Sequence, residues 1–347
     1  MTPVMLPWSL SLVLSVLSLA EPGGAAAPLL EKGERLFKQG DVAGAIAAFD
    51  EAAKIDPKDA RASYLKGVAL EKKGDLTGAV SAYKQAISRK ADFAEAHNNL
   101  GALLIGRSEH AGALVELEAA VRSKPAYAEA QYNLGIARDA LGKKTEAVTA
   151  YKEAVRLKPS DPGYRLNLGA ALRRAGDVEG AVGALKEATR LAPKDPMAWA
   201  NLGMVLSDKK SYDEAHSALE KATQLKPEFA LAWNRLGRVA LKRGQIPAAV
   251  AAEEKARKLD PKNGAFAADL CRAFIEQKEA GKAVAECRAA VDLDAKNPLA
   301  HYELVKALVA KGDCPGAKAA LASFKALPAI KPEAKVQAEA ILATCKK

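Results

Sequence analysis

A repeat of 34 residues runs through most of this 347-residue chain. Proline marks it most clearly, because six prolines fall on one 34-residue grid: Pro57, Pro125, Pro159, Pro193, Pro227 and Pro261. One alanine recurs in all nine repeats: Ala45, Ala79, Ala113, Ala147, Ala181, Ala215, Ala249, Ala283 and Ala317. A unit this short must stack on its neighbours to bury a core. The period therefore predicts a solenoid over residues 26–331 instead of several globular domains.

Within a repeat numbered from 1 to 34, this proline occupies position 32. Position 8 is glycine in seven successive repeats: Gly33, Gly67, Gly101, Gly135, Gly169, Gly203 and Gly237. Glycine inside a helix costs about 1 kcal/mol relative to alanine, so its recurrence indicates that two helices approach closely there. Large residues at position 24 are the expected neighbours: Phe49, Tyr83, Leu117, Tyr151, Leu185 and Leu219.

Four repeats have a glycine followed by an aspartate near their middle: Gly40-Asp41, Gly74-Asp75, Gly176-Asp177 and Gly312-Asp313. Glycine favours the left-handed conformation that ends a helix, and aspartate caps the amino end of the next helix. Proline at position 32 then stops the second helix. Each repeat is therefore predicted to be a helix, a tight turn and a second helix.

The fourth repeat carries Leu134-Gly135, Ala147, Tyr151, Ala154 and Pro159, and Trp199 and Trp233 lie near the start of the sixth and seventh repeats. These residues resemble the signature of the tetratricopeptide repeat (TPR) family over residues 26–331. The resemblance implies an all-α, right-handed superhelical solenoid of antiparallel helix pairs, with a concave surface lined by the first helices. Family cochaperones that grip a terminal carboxylate use lysine at position 5 and asparagine at position 9. No repeat here has either, so that function is not expected.

The two ends of the chain depart from the repeat. Residues 1–20 contain no charged side chain and include an apolar run at residues 8–20 with a small-x-small cleavage pattern. They predict a secretory signal peptide over residues 1–20, a linker over residues 21–25 and a periplasmic or secreted protein. An uncleaved membrane anchor is the alternative, although the run is shorter than the about 20 residues of a spanning helix. Residues 332–347 predict a capping helix with Val336, Ala340 and Ile341 facing inward.

Position 6 is asparagine in four consecutive repeats: Asn99, Asn133, Asn167 and Asn201. Positions 2, 6, 9 and 13 are expected to form an exposed helix face, separate from the core stripe. An asparagine amide both donates and accepts hydrogen bonds, which suits the backbone of an extended peptide. The row is similar to the asparagine ladder in the superhelix of O-linked N-acetylglucosamine transferases. We therefore expect it to bind peptide; descent from one duplicated unit is the alternative explanation.

Basic side chains extend this face toward the carboxyl terminus: Arg235, Arg238, Lys242 and Arg272. They are predicted to belong to the same peptide-binding surface and to favour an acidic segment of the client. A solvated charged face is the alternative for this cluster. The formal net charge of +10 is compatible with an acidic partner or with solubility alone.

The four cysteines are Cys271, Cys287, Cys314 and Cys345. Residues that face each other across an antiparallel hairpin lie equally far from its turn, as Cys271 and Cys287 do at positions 8 and 24. Cys314 opens the second helix of the ninth repeat and faces Cys345 if the cap continues the solenoid. Two disulfides are therefore predicted, in agreement with export. Buried thiols and a metal site are the alternatives, although no C-x-x-C spacing supports zinc.

No phosphate-binding loop, nucleophile elbow or metal-binding helix occurs, so we expect no enzyme activity, cofactor or metal. His97 and His301 at position 4 are expected to be packed. The predicted function is an exported scaffold that binds an extended peptide segment of a protein client on its concave face. The alternative is a structural subunit of an envelope or secretion assembly, and an oligomer is compatible with both. A nucleic-acid partner is not expected, because the basic residues lack interleaved aromatics.

Overall fold

The structure is a computed structural model that describes residues 25–328 and 330–345. Over these residues the only regular secondary structure is α-helix. The predicted signal peptide at residues 1–20, and the predicted linker except residue 25, lie outside the described residues. Two compact units divide the chain, Met1–Lys158 and Pro159–Lys347. Both consist of paired helices at the spacing of the repeat, which confirms the predicted all-α class.

The described part of the first unit contains four helix pairs, one for each of the first four repeats. In chain order the pairs are α1 (Ala27–Lys38) with α2 (Val42–Ile55), α3 (Ala60–Lys73) with α4 (Leu76–Arg89), α5 (Ala94–Gly106) with α6 (His110–Ser123), and α7 (Ala128–Ala140) with α8 (Lys144–Leu157). The two helices of each pair pack along each other, and each first helix also packs against the second helix of the preceding repeat. A continuous apolar core results, to which every helix of this part contributes buried side chains.

The described part of the second unit contains five further pairs and a final single helix. They are α9 (Pro162–Ala175) with α10 (Val178–Leu191), α11 (Pro196–Asp208) with α12 (Tyr212–Leu225), α13 (Ala230–Lys242) with α14 (Ile246–Leu259), α15 (Gly264–Glu276) with α16 (Ala280–Leu293), α17 (Pro298–Lys311) with α18 (Cys314–Ala326), and α19 (Pro332–Ala343). Within this unit the first helices of successive repeats also touch one another, so their position-6 side chains approach the neighbouring repeat.

The turns form as the Gly-Asp pairs predict. Gly74 and Gly176 end their helices at φ values of 87° and 88°, in the left-handed region that glycine adopts without strain. The carboxylate of Asp75 accepts a hydrogen bond of 2.8 Å from the backbone N–H of Gly78, and Asp177 accepts the same bond from Gly180. Each bond satisfies one of the backbone N–H groups that a helix start leaves without a partner.

The glycines at position 8 are explained by the large side chains at position 24 of the same repeat. A Cβ atom built on Gly135 would lie 2.6 Å from a ring carbon of Tyr151, and one on Gly67 would lie 2.5 Å from Tyr83. Contacts this short force a neighbour to move, so only glycine fits the observed packing. The predicted close approach of the two helices is confirmed.

Position 4 makes a hydrogen bond that recurs along the chain. The indole N–H groups of Trp199 and Trp233 donate to the carbonyl oxygens of Pro193 and Pro227, at 2.9 and 2.8 Å. His97, Gln131, Arg165 and His301 contact the equivalent carbonyl oxygens of their own preceding repeats. In these six repeats the bond ties the first helix to the residues that follow the preceding second helix. Both histidines are buried, as expected from their position.

The cysteines pair as predicted. Cys271 is bonded to Cys287, with their Cα atoms 5.3 Å apart, and Cys314 is bonded to Cys345, with their Cα atoms 5.8 Å apart. The first pair occupies positions 8 and 24, where other repeats place glycine against a large side chain. The second pair joins the start of α18 to the residues that follow α19.

The final helix α19 packs against the ninth repeat, but its inward face differs from the predicted one. Ala338 is fully buried, and Ala334, Ile341 and Leu342 pack beside it. Val336 and Ala340 are exposed, so the expectation that they face inward was wrong. Residues 334, 338, 341 and 342 follow the four-, three- and one-residue steps of a single helix face. Val336 lies on the opposite side, and only Ile341 was assigned correctly.

Candidate functional site

The asparagines of the first unit at position 6 are buried inside the fold. Asn99 donates through Nδ2 to the hydroxyl oxygens of Tyr64 and Tyr83, both 3.3 Å away. Asn133 donates to Oδ1 of Asn98 at 2.9 Å. The two asparagines are 9% and 7% exposed, so the expectation that this row lies on an exposed face was wrong for them. Their amides stabilise contacts between successive repeats, and their contact with a peptide remains a prediction.

The asparagines of the second unit at position 6 are half-buried, and each makes a hydrogen bond to a backbone carbonyl. Asn167 donates to the carbonyl oxygen of Gly163 at 3.0 Å, and Asn201 donates to that of Met197 at 2.8 Å. Each bond stays within the asparagine's own helix, four residues back. Asn201 makes no other hydrogen bond to the described residues. Its Oδ1 acceptor and its second N–H therefore remain available at the surface.

The difference between Asn99 and Asn201 has a physical cause in the preceding repeat. A position-6 side chain reaches toward positions 5 and 24 of the repeat before it, which are Tyr64 and Tyr83 for Asn99. Before Asn99 and Asn133 at least one of those two residues is polar, and the asparagine side chain bonds to it. Before Asn201 they are Leu166 and Leu185, which offer no hydrogen-bonding group. The 34-residue period alone cannot separate the two cases.

The same geometry creates a buried polar cluster in the second unit. The amide of Asn234, at position 5, donates to Glu253 Oε2 at 2.8 Å and to Asp269 Oδ2 at 2.9 Å. Glu253 is fully buried, and its other carboxyl oxygen has no hydrogen-bond partner among the described residues. Burial and the nearby Asp269 raise the pKa of Glu253 to about 9. The sequence signal was glutamate at position 24, where the other repeats place an aromatic residue, leucine or cysteine.

Arg272 is bound to acidic side chains of this region. Its Nε donates to Glu303 Oε1 at 2.8 Å, and its guanidinium lies 3.6 Å from Asp269. Lys306 Nζ lies 3.0 Å from the other carboxyl oxygen of Glu303. The negative charges of Asp269 and Glu303 balance the positive charges of Arg272 and Lys306. The predicted ligand contact of Arg272 therefore competes with an ion pair that the fold already makes.

The other three predicted basic residues lie on α13 and remain unpaired. Arg235 is half-buried, and its Nε has no hydrogen-bond acceptor among the described residues. Burial lowers its pKa, and so do the neighbouring cations Arg238 and Arg173. Arg238 and Lys242 are exposed and form no ion pair within the described part of the chain. The residues that precede Arg235 at positions 5 and 24 are Ala200 and Leu219, which cannot bond a guanidinium.

Apolar side chains lie beside these polar groups. Met197 is 44% exposed and Leu231 is 40% exposed, each at position 2 of its repeat. Asn201 and Arg235 follow them one helical turn later on α11 and α13. The position-2, position-6 and position-9 side chains of these two helices therefore offer hydrogen-bonding, cationic and apolar groups together.

Residues 25–328 and 330–345 hold no cluster of histidine, cysteine, aspartate and glutamate that could bind a metal ion. Within the same ranges, the helices are too short or too polar to cross a lipid bilayer.

Comparisons with known proteins agree with this architecture. A family profile described as Tetratricopeptide repeat matches seven overlapping segments: 30–95, 73–118, 98–162, 132–196, 166–228, 201–264 and 234–298. None of the curated proteins matches significantly. A chain of the APC/C hetero-tetramer Cut9–Hcn1 is 19% identical with a TM-score of 0.58, over 85% of this chain and 58% of that chain.

Two bacterial structures are similar in the same way. PilF of Pseudomonas aeruginosa is 19% identical with a TM-score of 0.51, over 58% of this chain and 92% of that chain. A tetratricopeptide repeat protein from Parabacteroides merdae is 17% identical with a TM-score of 0.51, over 73% and 100%. At these identities the likenesses establish the fold alone. Because the profile spans most of the repeat region, and both units consist of its helix pairs, this chain belongs to the tetratricopeptide repeat family, whose members are scaffolds for protein interaction.

Proposed function

We propose that this protein is an exported scaffold that holds an extended peptide segment of a client protein on the face formed by its first helices. The observation that carries the proposal is the set of available groups on α11 and α13. Asn201, Arg235 and Arg238 have hydrogen-bonding capacity that the described residues leave unused. Buried or half-buried polar groups are normally satisfied, so a surface that leaves them open suits a polar ligand.

An extended segment is the ligand form that this surface fits best. Its backbone presents an N–H and a carbonyl at every residue, and an asparagine amide can pair with both. Such recognition depends little on the client's sequence, whereas the arginines and the apolar residues at position 2 add selectivity. Asn99 and Asn133 support the repeat packing and contribute less, because their amides are already bonded.

The test of this surface is site-specific photo-crosslinking in cells. A photo-reactive residue is placed at Asn201 on a first helix, or at Lys186, which is exposed on the second helix α10. We expect crosslinked clients from position 201 and none from position 186. Crosslinks from position 186 alone would contradict the proposal and favour a structural subunit that assembles through its outer surface. Circular dichroism of both variants checks that the helices are intact.

Export rests on the apolar, uncharged residues 1–20 and on the cysteines, all four of which are paired. Disulfides persist in oxidising compartments and are rare in the cytosol of most organisms. Intact-mass analysis of the protein after cell fractionation tests the proposal. We expect an envelope or secreted fraction that lacks residues 1–20. A full-length cytosolic protein would contradict export while leaving the binding surface unaffected.

A further inference from the structure

One part of the first-helix face differs from the rest in its charge balance. The Arg235 surface is defined by Met197, Asn201, Leu231, Arg235 and Arg238 on α11 and α13. The cations that follow it, Arg272 and Lys306, are neutralised by acids of the same unit. Arg235 and Arg238 have no such partner among the described residues. Two adjacent guanidinium groups therefore leave a local excess of positive charge.

The environment of Arg235 favours an anion more strongly than an exposed arginine would. Its Nε is buried without an acceptor, and leaving a charged donor unsatisfied costs more than leaving a neutral one. Its pKa is lowered by burial and then by Arg238 and Arg173, and the more weakly acting carboxylates of Asp269 and Asp208 only partly offset this effect. A planar carboxylate can accept two parallel hydrogen bonds from one guanidinium and would compensate this charge.

The apolar residues of the Arg235 surface indicate the second requirement. Met197 and Leu231 are long apolar side chains with 44% and 40% of their surface exposed. They lie one turn from Asn201 and Arg235 on the same helix faces. An anion alone would leave these side chains in water, whereas a ligand with a bulky apolar group would cover them.

We infer that the Arg235 surface selects extended segments in which an acidic side chain and a bulky apolar side chain project from the same face. The inference rests on the proposed function and names the class of partner. Residues two apart in an extended chain project to the same side. The preferred segment therefore alternates, with leucine-like and glutamate-like residues separated by one residue. The carboxylate contacts Arg235 and Arg238, and the apolar side chain contacts Met197 and Leu231.

Three synthetic peptides, each with blocked ends and a fluorescent label, test this selectivity against the full-length protein. The first repeats Leu-Ser-Glu-Ser, so that leucine and glutamate share one face. The second repeats Leu-Ser-Gln-Ser and lacks the charge. The third repeats Leu-Glu-Ser-Ser, which has the same composition as the first but places the two side chains on opposite faces. We expect the first to bind about ten-fold more tightly than either control by fluorescence anisotropy.

Variants assign that affinity to the Arg235 surface. Arg235→Gln, and Leu231→Ser separately, should each weaken binding of the first peptide several-fold without changing the circular dichroism spectrum. Arg288→Gln is the matched control, because Arg288 is an exposed arginine on the second helix α16 of the same unit. The affinity for the first peptide should also fall as salt rises, because salt screens exposed charges.

The outcomes separate this inference from the proposed function. Equal binding of the first and second peptides, or of the first and third, would overturn the inference, and so would unchanged affinity of Arg235→Gln. Failure of all three peptides to bind would overturn it too, while client crosslinks at position 201 would still support the proposed function. Loss of both peptide binding and those crosslinks would remove the proposed function as well.

Discussion

Glu253 differs in residue type from the other repeats at its position, although it packs in the same place. At the same position Tyr151 and Leu219 pack against a glycine of the first helix, and Glu253 packs in the same way against Gly237. A carboxylate in that place would lose its hydration beside another acid, Asp269. Its pKa of about 9 means that the group is protonated near neutral pH. Neutralisation lets an acid occupy a position built for an apolar side chain.

We expect Glu253→Leu to stabilise the second unit, and to do so more at high pH than at low pH. The pKa of Glu253 is raised in the folded state from 4.5 to about 9. Its folded state therefore loses stability relative to the unfolded chain as pH rises from about 4.5 toward 9. Leucine has no such dependence, and the gain at pH 8.5 should be about 1–3 kcal/mol. Urea unfolding at pH 5 and pH 8.5 measures the difference.

The control for this experiment is Glu254→Leu, because Glu254 is exposed beside Glu253 on the same helix. It should show little effect at either pH. A gain from Glu253→Leu that is equal at pH 5 and pH 8.5 would mean that the carboxyl is not titrating in this range. A loss of stability at pH 8.5 would mean that its bond to Asn234 outweighs its burial.

Two helical glycines should respond in opposite ways to the same substitution. Gly135→Ala places a Cβ 2.6 Å from Tyr151 and should destabilise the first unit by about 1–3 kcal/mol through overpacking. Gly183 is also inside a helix, but a Cβ there meets nothing within 4 Å. Gly183→Ala should therefore stabilise the second unit by about 0.5–1 kcal/mol. Thermal melts of both variants measure these changes in stability. A gain in stability from Gly135→Ala would refute the packing explanation.

At the scale of the elements, the turns between paired helices share one backbone conformation, but not every turn has a residue type that suits it. Glycine supplies the left-handed residue in some turns, as Gly176 does at φ 88°. In three others the residue is Ser108, Lys210 or Lys278, at φ values of 61° to 66°. A residue with a Cβ is strained in this region by about 1–2 kcal/mol. The solenoid therefore keeps the same turn geometry even where the sequence does not favour it.

Lys210→Gly should relieve that strain and raise the midpoint of urea unfolding. The gain is expected to be small, about 0.5 kcal/mol, because glycine also makes the unfolded chain more flexible. Gly176→Ala is the reverse change and should cost about 1–2 kcal/mol. If the two variants shift stability in the same direction, the left-handed turn conformation is not what determines the effect of these substitutions on stability.

The sequence predicted the elements well and the chemistry of their faces less well, for one physical reason. Helix positions, turns and the glycine contacts repeat every 34 residues, because each depends on residues of one repeat. Burial at position 6 depends on two repeats at once: Asn99 meets tyrosines of the repeat before it, whereas Asn201 follows two leucines. The ion pair of Arg272 was missed in the same way, because its partner Glu303 lies in the next repeat. A period identifies equivalent positions but not the neighbours that each one meets.

At the scale of the whole molecule, stability in a solenoid is a sum of repeat terms and terms between neighbouring repeats. The last repeat has a neighbour on one side only, so the carboxyl-terminal end relies on α19 to cover its core. Burial of Ala338 against that core is one contribution. The Cys314–Cys345 disulfide is the other, since it links residues 31 apart and so restricts the unfolded chain.

We expect the double variant Cys314→Ser, Cys345→Ser to loosen this end and leave the rest of the protein intact. Removal of the link should cost about 3–4 kcal/mol, as the entropy of a loop of this length predicts. Because repeats couple mainly to their neighbours, hydrogen–deuterium exchange should increase in α18 and α19 and stay unchanged in α1 to α8. The matched control is Cys271→Ala, Cys287→Ala, which removes the buried pair and should increase exchange first in α15 and α16. Uniform increases along the whole chain from either variant would show that the protein unfolds as one cooperative body, and that the disulfides do not act on the repeats they join.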